Sequence, residues 1–136
     1  MKKVAFSACL FLIFTIFAVS QSPDGPMIGF DRDVHDFGEI KVDSIPEGKI
    51  EFIVYNQGDQ PLVLTNVRAC CGTRVEGYTE KPISPGDSGF VKVEFRIANR
   101  PHRIGRTVTV QSNATNRQTA ILRIIGEVVE TGESKD

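Results

Sequence analysis

Apolar and polar positions alternate along most of the chain after Asp24. Residues 89–98 show the pattern most clearly, because four apolar side chains there alternate with charged ones: Val91, Val93, Phe95 and Ile97 with Lys92, Glu94 and Arg96. A period of two places the apolar side chains on one face of an extended chain, so this stretch predicts a half-buried strand. The same pattern predicts further strands at residues 27–31, 35–40, 49–56, 61–67, 107–113 and 119–130.

Clusters of turn-forming residues separate the predicted strands at 56–59, 84–87 and 113–116. No segment carries the apolar spacing of a long amphipathic helix. Strands at intervals of roughly ten residues are typical of a sandwich, so we predict an all-β, two-sheet antiparallel sandwich of about seven strands. Within residues 61–67, simple alternation places Leu62 and Leu64 on one face, with Val63 and Val67 on the other.

The N-terminus has the order of a secretory signal peptide. Lys2 and Lys3 precede an uncharged apolar run that ends in Ala-Val-Ser, so cleavage is expected between Ser20 and Gln21. A retained membrane anchor is the alternative, but a run of about sixteen residues is short of the roughly 20 needed to span a bilayer. We therefore predict a signal peptide at 1–20, a flexible leader at 21–26, one domain at 27–130 and a disordered tail at 131–136.

Charge and hydropathy limit the classes of partner that the exported chain could bind. The sequence has 16 basic and 17 acidic residues, and loss of Lys2 and Lys3 with the signal peptide leaves 14 basic residues and a net charge of −3. Nucleic-acid binding usually requires a strongly basic face, so no nucleic-acid partner is expected. No second apolar run reaches membrane length, so we expect no membrane span in the mature chain and place it in the periplasm or at the cell surface.

Cys70 and Cys71 are adjacent, and Cys9 in the predicted signal peptide is the only other cysteine. A vicinal disulfide suits an oxidising compartment, although Cα atoms of neighbouring residues lie about 3.8 Å apart, below the usual disulfide range of about 4.4–6.8 Å. Two thiols that are free or bridge to another chain are the interpretation that we favour. A metal site needs more ligands, and His35 and His102 lie far from the pair in sequence, so no metal is expected.

A catalytic cysteine is the remaining alternative for this pair. Such a nucleophile needs a base within hydrogen-bond reach, and no motif supplies one. Arg68 and Arg74 flank the pair and would favour a thiolate there if they lie close. We predict no catalytic residue and no cofactor, and keep Cys70 and Cys71 as a candidate redox or disulfide site.

The order of several segments resembles one family. These segments are HDFGEI at 35–40, YNQGDQPLVLTNVRA at 55–69, KPISPGDSG at 81–89, RTVTVQSNA at 106–114 and LRIIGEV at 122–128. Together they resemble the bacterial domain-of-unknown-function family 1573, which is common in the Bacteroidetes envelope. The resemblance implies an immunoglobulin-like sandwich and export, and it implies no known reaction. Members of the family usually carry Cys-Gly-Cys-Thr, and alignment on Gly72 puts Cys71 at the first cysteine position and Thr73 at the second.

Two other groups are candidate sites. Arg100, His102, Arg103 and Arg106 form a locally basic segment, expected to be a loop, that could bind an anion, a glycan or an acidic partner. A solvated, salt-bridged loop is the alternative, and we favour it. Ser44 lies in Asp-Ser-Ile, which resembles an O-glycosylation signal of Bacteroidetes.

The function expected from these features is that of a non-catalytic binding or structural module of the cell envelope. Its partner would be an envelope protein or a glycan of unknown identity, because sandwich domains present loops and sheet edges to partners. One alternative is a thiol-dependent redox or redox-sensing protein that uses Cys70 and Cys71. Another is a periplasmic chaperone-like assembly factor.

The predicted cleavage of the signal peptide can be checked by N-terminal sequencing of protein purified from its native envelope. The expected N-terminus is Gln21, because the small residue Ser20 closes the apolar run. A chain that still begins at residue 1 would indicate a retained anchor instead.

Overall fold

The computed structural model describes residues 24–132, which form eight strands in two four-stranded sheets. The strands are β1 (Ile28–Phe30), β2 (Val34–Lys41), β3 (Lys49–Asn56), β4 (Leu64–Ala69), β5 (Arg74–Tyr78), β6 (Ser88–Glu94), β7 (His102–Ser112) and β8 (Thr119–Val129). The first sheet has the order β1-β3-β6-β5, and the second has the order β2-β8-β7-β4. The prediction of an all-β, two-sheet sandwich is confirmed.

The strand count and one pairing differ from the prediction. The additional strand is β5, in which a bulge at Glu76 breaks the register between the pairs Val75–Val93 and Gly77–Lys92, so that no run of regular alternation reveals it. All strand pairs are antiparallel except β2 with β8, which is parallel. The parallel pair arises because the chain crosses from the first sheet to the second directly after β1 and then runs beside the last strand.

The core lies between the sheets and consists of the inward side chains of the long strands. Those of β3, β6 and β8 are the ones that alternation predicts, and they are buried: Ile50, Phe52 and Val54; Val91 and Val93; Ala120, Leu122, Ile124 and Val128. Phe95 and Ile97, just beyond β6, are buried as well. Because apolar surface removed from water supplies most of the stabilisation of a small domain, this packing is the main support of the fold.

A bulge in β4 corrects the predicted faces of residues 61–67. Leu64 pairs with Ser112 and Asn66 with Gln111, so Thr65 is an extra residue in the strand. The extra residue reverses the alternation after it. Val67 is therefore buried together with Leu64, whereas simple alternation placed them on opposite faces.

The end of the predicted leader is held in place rather than loose. Gly25 and Pro26 are buried. The amide of Gly25 donates to Asp59 Oδ1 at 2.7 Å, and the amide of Thr115 donates to the carbonyl of Pro26 at 2.8 Å. The ordered domain therefore begins before residue 27, because two distant turns bind this segment. Residues 1–23 and 133–136, which include the expected cleavage site at Ser20–Gln21, lie outside the described residues.

The side chain of Asn56 is a buried polar hub at the end of β3. Its Nδ2 donates to the carbonyl oxygens of Gln60 at 2.7 Å and Ile83 at 2.8 Å, and its Oδ1 accepts from the amide of Gly58 at 2.9 Å. Asn56 is 2% exposed. A buried amide of this kind fixes the turn that it contacts, because a buried backbone group that lost this hydrogen bond would have no water to bond instead.

We expect Asn56→Asp to destabilise the domain by about 2–4 kcal/mol, because a carboxylate cannot donate to the two carbonyls and its charge is buried. Urea unfolding measures the change. Asn66→Asp is the control, since Asn66 makes a single 3.4 Å contact with Gln111 at a half-buried position. Equal losses in the two variants would contradict this role of Asn56.

Candidate functional site

The two cysteines lie in the tight turn that links the second sheet to the first. β4 ends at Ala69 and β5 begins at Arg74, and the amide of Thr73 donates to the carbonyl of Cys70 at 3.0 Å. Cys71 and Gly72, the central residues of the turn, have φ values of 63° and 74°. Cys71 is the one non-glycine residue with positive φ within residues 24–132. An L-residue other than Gly, Asn or Asp seldom adopts this conformation, so the surrounding contacts must hold Cys71 there.

The structure joins the Sγ atoms of Cys70 and Cys71 in a disulfide between adjacent residues, with 3.7 Å between their Cα atoms. This arrangement corresponds to the first of the four interpretations considered above, and differs from the free or intermolecular thiols that we favoured from the sequence. It is built on an unusual backbone conformation, as the short separation of neighbouring Cα atoms leads one to expect.

The two sulfur atoms have unlike surroundings. Cys71 is exposed at the tip of the turn, and Cys70 is half-buried beside β7. The amide of Cys70 donates to the carbonyl of Thr107 at 3.0 Å, as in a regular ladder. In return, the amide of Thr107 donates to Cys70 Sγ at 3.3 Å, and Thr107 Oγ1 donates to the same sulfur at 3.2 Å.

A shallow cleft of about 540 Å³ opens beside the turn, at the end of the first sheet where β3 and β5 begin and β6 ends. Its lining includes Gly72, Arg74, Glu94, Phe95 and Lys49. Arg74 forms an ion pair with Glu94 at 2.8 Å. The cleft therefore combines paired surface charges with one aromatic side chain, and Gly72 is the residue between β4 and β5 that lines it.

The structure separates the four residues of the predicted basic loop. His102, Arg103 and Arg106 belong to β7, and only Arg100 precedes the strand. Arg103 lies on the outer face, whereas Arg106 has the inward parity of Ile104 and Val108. The Arg106 guanidinium lies 5.2 Å from the centre of the Phe95 ring.

His102 is similarly held within the chain. Its Nδ1 lies 2.6 Å from the carbonyl oxygen of Arg100, to which it donates. The expectation of a single basic loop is therefore wrong, because the pairing with β8 extends β7 through most of that segment.

Ser44 is exposed in the turn after β2. Its amide donates to the carbonyl of Lys41 at 2.9 Å, and its hydroxyl contacts the carboxylate of Asp43 at 3.4 Å. The hydroxyl is accessible, and its glycosylation stays a prediction.

Sequence reasoning missed an apolar surface on the outer face of the second sheet. Val34, Ile121 and Ile125 are 43%, 54% and 39% exposed, and they are three of the four large exposed apolar residues in the described chain. We call these three residues the aliphatic face. A signal was present in the sequence, because β8 carries Ile121 and Ile125 on the face opposite to its core residues, where polar side chains are the norm.

Charged side chains of both signs border the aliphatic face, with Asp36 in register with Ile125 and Arg103 in register with Glu127. Arg123 pairs in register with Val34 and lies between Ile121 and Ile125 along β8. Within residues 24–132, neither Arg123 nor the outward Arg68 and Arg103 takes part in an ion pair. On the outer face of the first sheet, by contrast, Lys92 pairs with Glu51 at 3.4 Å.

Thr73 occupies the position at which members of the resembled family usually carry their second cysteine. Its Oγ1 is buried and has no hydrogen-bond partner. A hydroxyl in such a place is unfavourable, whereas a thiol is tolerated because it behaves as a small apolar group.

His35 belongs to the packed interior edge of the sandwich. Its Nδ1 accepts a hydrogen bond from Arg32 Nε at 3.2 Å, and its ring packs edge-on against Phe37 at 4.6 Å. Burial and the Arg32 charge lower the pKa of His35 below its usual value, against the opposing effect of Asp36 and Asp31. Within the described chain, no three His, Cys, Asp or Glu side chains cluster so as to hold a metal ion. Residues 24–132 also include no helix long and apolar enough to span a membrane.

The model of a protein family of unknown function, DUF1573, matches residues 28–128. The chain belongs to the DUF1573 family. The resemblance seen in the sequence is thereby confirmed. No curated protein gives a significant match.

Several solved structures are similar to this chain. A protein of unknown function from Porphyromonas gingivalis W83 is 14% identical with a TM-score of 0.59, and the match covers 75% of this chain and 46% of that one. The secreted serine protease VesC from Vibrio cholerae is 12% identical with a TM-score of 0.61, over 80% of this chain and 24% of that one. The periplasmic chaperone SfaE is 9% identical with a TM-score of 0.48, over 80% and 60%. This chain thus spans less than half of the P. gingivalis protein and of VesC, and at such identities the likeness concerns the fold alone.

The environment of His35 predicts a pH dependence of stability. Its pKa is lower in the folded chain than the ordinary value of 6.5, so just below that value the unfolded chain binds more protons. The contribution is therefore fully present above about pH 6.5 and is lost as the pH falls through the window beneath it. Urea unfolding at neutral and mildly acidic pH should show a larger loss for the wild type than for His35→Gln. Parallel losses in the two proteins would rule out a role for His35.

Proposed function

We propose that this protein is a non-catalytic binding module of the bacterial cell envelope that docks a protein partner on the aliphatic face of its second sheet. The exposure of Val34, Ile121 and Ile125 together on one face is the observation that carries the proposal. Single exposed apolar residues are common on protein surfaces, whereas a grouped set is typical of an interaction site. The signal-like N-terminus supports placement of the mature chain in the periplasm or at the cell surface.

The charges of the face indicate the chemistry of the partner. Arg123 lies at the centre of the aliphatic face, and Arg68 and Arg103 lie at its flanks, without ion pairs in the described chain. A partner surface that combines apolar side chains with a carboxylate would bury the aliphatic residues and pair with Arg123. Electrostatic complementarity of this kind adds specificity and speeds association. The partner proposed is therefore a protein surface with apolar side chains at its centre and a carboxylate placed to pair with Arg123.

Site-specific cross-linking in cells can test this surface. A photoreactive amino acid replacing Glu127, two residues beyond Ile125 on the same face, should give an adduct of discrete mass. The same probe replacing Lys92, on the outer face of the first sheet, should not. The adduct at position 127 should disappear in the double variant Ile121→Thr, Ile125→Thr, which keeps β-branched side chains and should leave the fold intact.

The control for loss of exposed apolar area is Tyr55→Thr, because Tyr55 is 40% exposed on the other sheet. Once the adduct is identified, binding of the purified partner should weaken roughly tenfold or more in the double variant and in Arg123→Glu. Unchanged cross-linking in the face variants would refute the proposal. An adduct of twice the mass of the chain would show instead that the face joins two copies.

A further inference from the structure

The surroundings of the two cysteine sulfurs differ, so an incoming thiolate should attack one of them in preference to the other. We propose that the Cys70–Cys71 disulfide oxidises thiols, with attack at the exposed Cys71 and release of Cys70 as the leaving thiolate. Cys70 and the aliphatic face lie on the same outer side of the second sheet, where Thr107 pairs in register with Arg123, but the proposal does not depend on the docking of a partner.

Access selects Cys71 as the sulfur that is attacked. Cys71 is exposed at the tip of the turn, and the cleft that includes Gly72 and Arg74 opens beside it. Cys70 is half-buried, and β7 covers one side of it through Thr107. Since a thiolate must approach the sulfur that it attacks, the sulfur of the more exposed residue is the more accessible electrophile.

Hydrogen bonding selects Cys70 as the leaving group. Thr107 directs two donors at Cys70 Sγ, its amide at 3.3 Å and its hydroxyl at 3.2 Å. In a regular antiparallel ladder this amide would donate to the carbonyl of Cys70, but that carbonyl accepts from Thr73 in the turn. The turn therefore frees a backbone donor for the sulfur. Donors to an anion favour the charged form, and a better-stabilised thiolate leaves faster.

The left-handed conformation of Cys71 also favours opening of the ring. Its φ of 63° is costly for a residue with a side chain, and the disulfide is one of the contacts that hold it. Reduction removes this constraint, so part of the backbone strain is released with the bond.

The chemistry balances with an external thiol as the reductant. In the first step a thiolate forms a mixed disulfide with Cys71 Sγ, the Cys70–Cys71 bond breaks, and Cys70 Sγ takes the electron pair. In the second step another thiolate attacks the outer sulfur of the mixed disulfide, and Cys71 Sγ leaves. The two external thiols become one disulfide, and their two protons end on Cys70 and Cys71.

Peptide mapping after the first step tests which of the two sulfurs is attacked and which is released. Oxidised protein is mixed with 2-mercaptoethanol and quenched in acid, which stops exchange because only the thiolate attacks. The excess mercaptoethanol is removed in acid, and a large excess of maleimide then labels the released sulfur as the pH is raised. Trypsin cuts after Arg68 and Arg74 and yields the hexapeptide 69–74, in which fragmentation between Cys70 and Cys71 locates each group. Reading the label within this peptide keeps Cys9 out of the result.

The expected product carries mercaptoethanol on Cys71 and maleimide on Cys70. An adduct mainly on Cys70 would overturn the proposal. Maleimide on both residues before any thiol is added would also overturn it, since the cysteines would then be free.

Thr107→Val provides an independent test, because it removes the hydroxyl donor and keeps the shape of the side chain. The rate of the first step should fall roughly three- to tenfold, as expected for the loss of one ordinary hydrogen bond to a sulfur that carries only part of its charge in the transition state. Thr109→Val, two residues further along the same face of β7, should react at the wild-type rate. Equal rates for all three proteins would contradict the role of Thr107. If Thr107→Val does not fold, as judged by thermal melting, the position of the adduct in the wild type decides alone.

Discussion

The antiparallel pairing of β7 with β8 determines which face of the second sheet carries the side chains of the two proposed sites. Ten residue pairs join the two strands in one unbroken register, from His102–Val128 to Gln111–Thr119. Because side chains alternate strictly along such a ladder, this register turns Arg106 towards Phe95 and turns Thr107 outward. A slip of β7 by one residue would turn Thr107 inward and Ile104 and Val108 outward. Both proposed sites therefore depend on the register of this one pair.

The two outer faces of the sandwich differ in character. On the first sheet, oppositely charged side chains lie across from each other and form ion pairs, such as Arg74 with Glu94 and Lys92 with Glu51. That arrangement suits a surface in permanent contact with water. On the second sheet, exposed aliphatic side chains lie beside arginines that form no ion pair in the described chain. An outer face of this composition gains most when another surface covers it, since both its apolar area and its charges are then satisfied.

Irregularities in the strands place the chemistry of the molecule. The bulge at Thr65 brings Val67 into the core near the end of β4, so that Cys70 then lies opposite Thr107 on the outer face. The turn that follows uses Cys71 and Gly72 in left-handed conformations to reverse the chain into the other sheet. Thr107 and Cys70 are 37 residues apart in sequence and share two hydrogen bonds at the sulfur. The cysteine pair acquires its asymmetry from these contacts, as the two residues are chemically identical in the sequence.

The sequence by itself determined the fold class, the family and most of the core. Alternation is a local property, so the inward residues of β3, β6 and β8 can be recognised from a few neighbours. Tertiary structure decided what depends on distant partners. Pairing with β8 extended β7 through the expected basic loop, the crossing after β1 made β2 parallel to β8, and bulges at Thr65 and Glu76 changed the facing of side chains that strict alternation assigns. The disulfide and its donors from Thr107 belong to the same class, because hydrogen bonds between residues far apart in the chain exist only once the strands have paired.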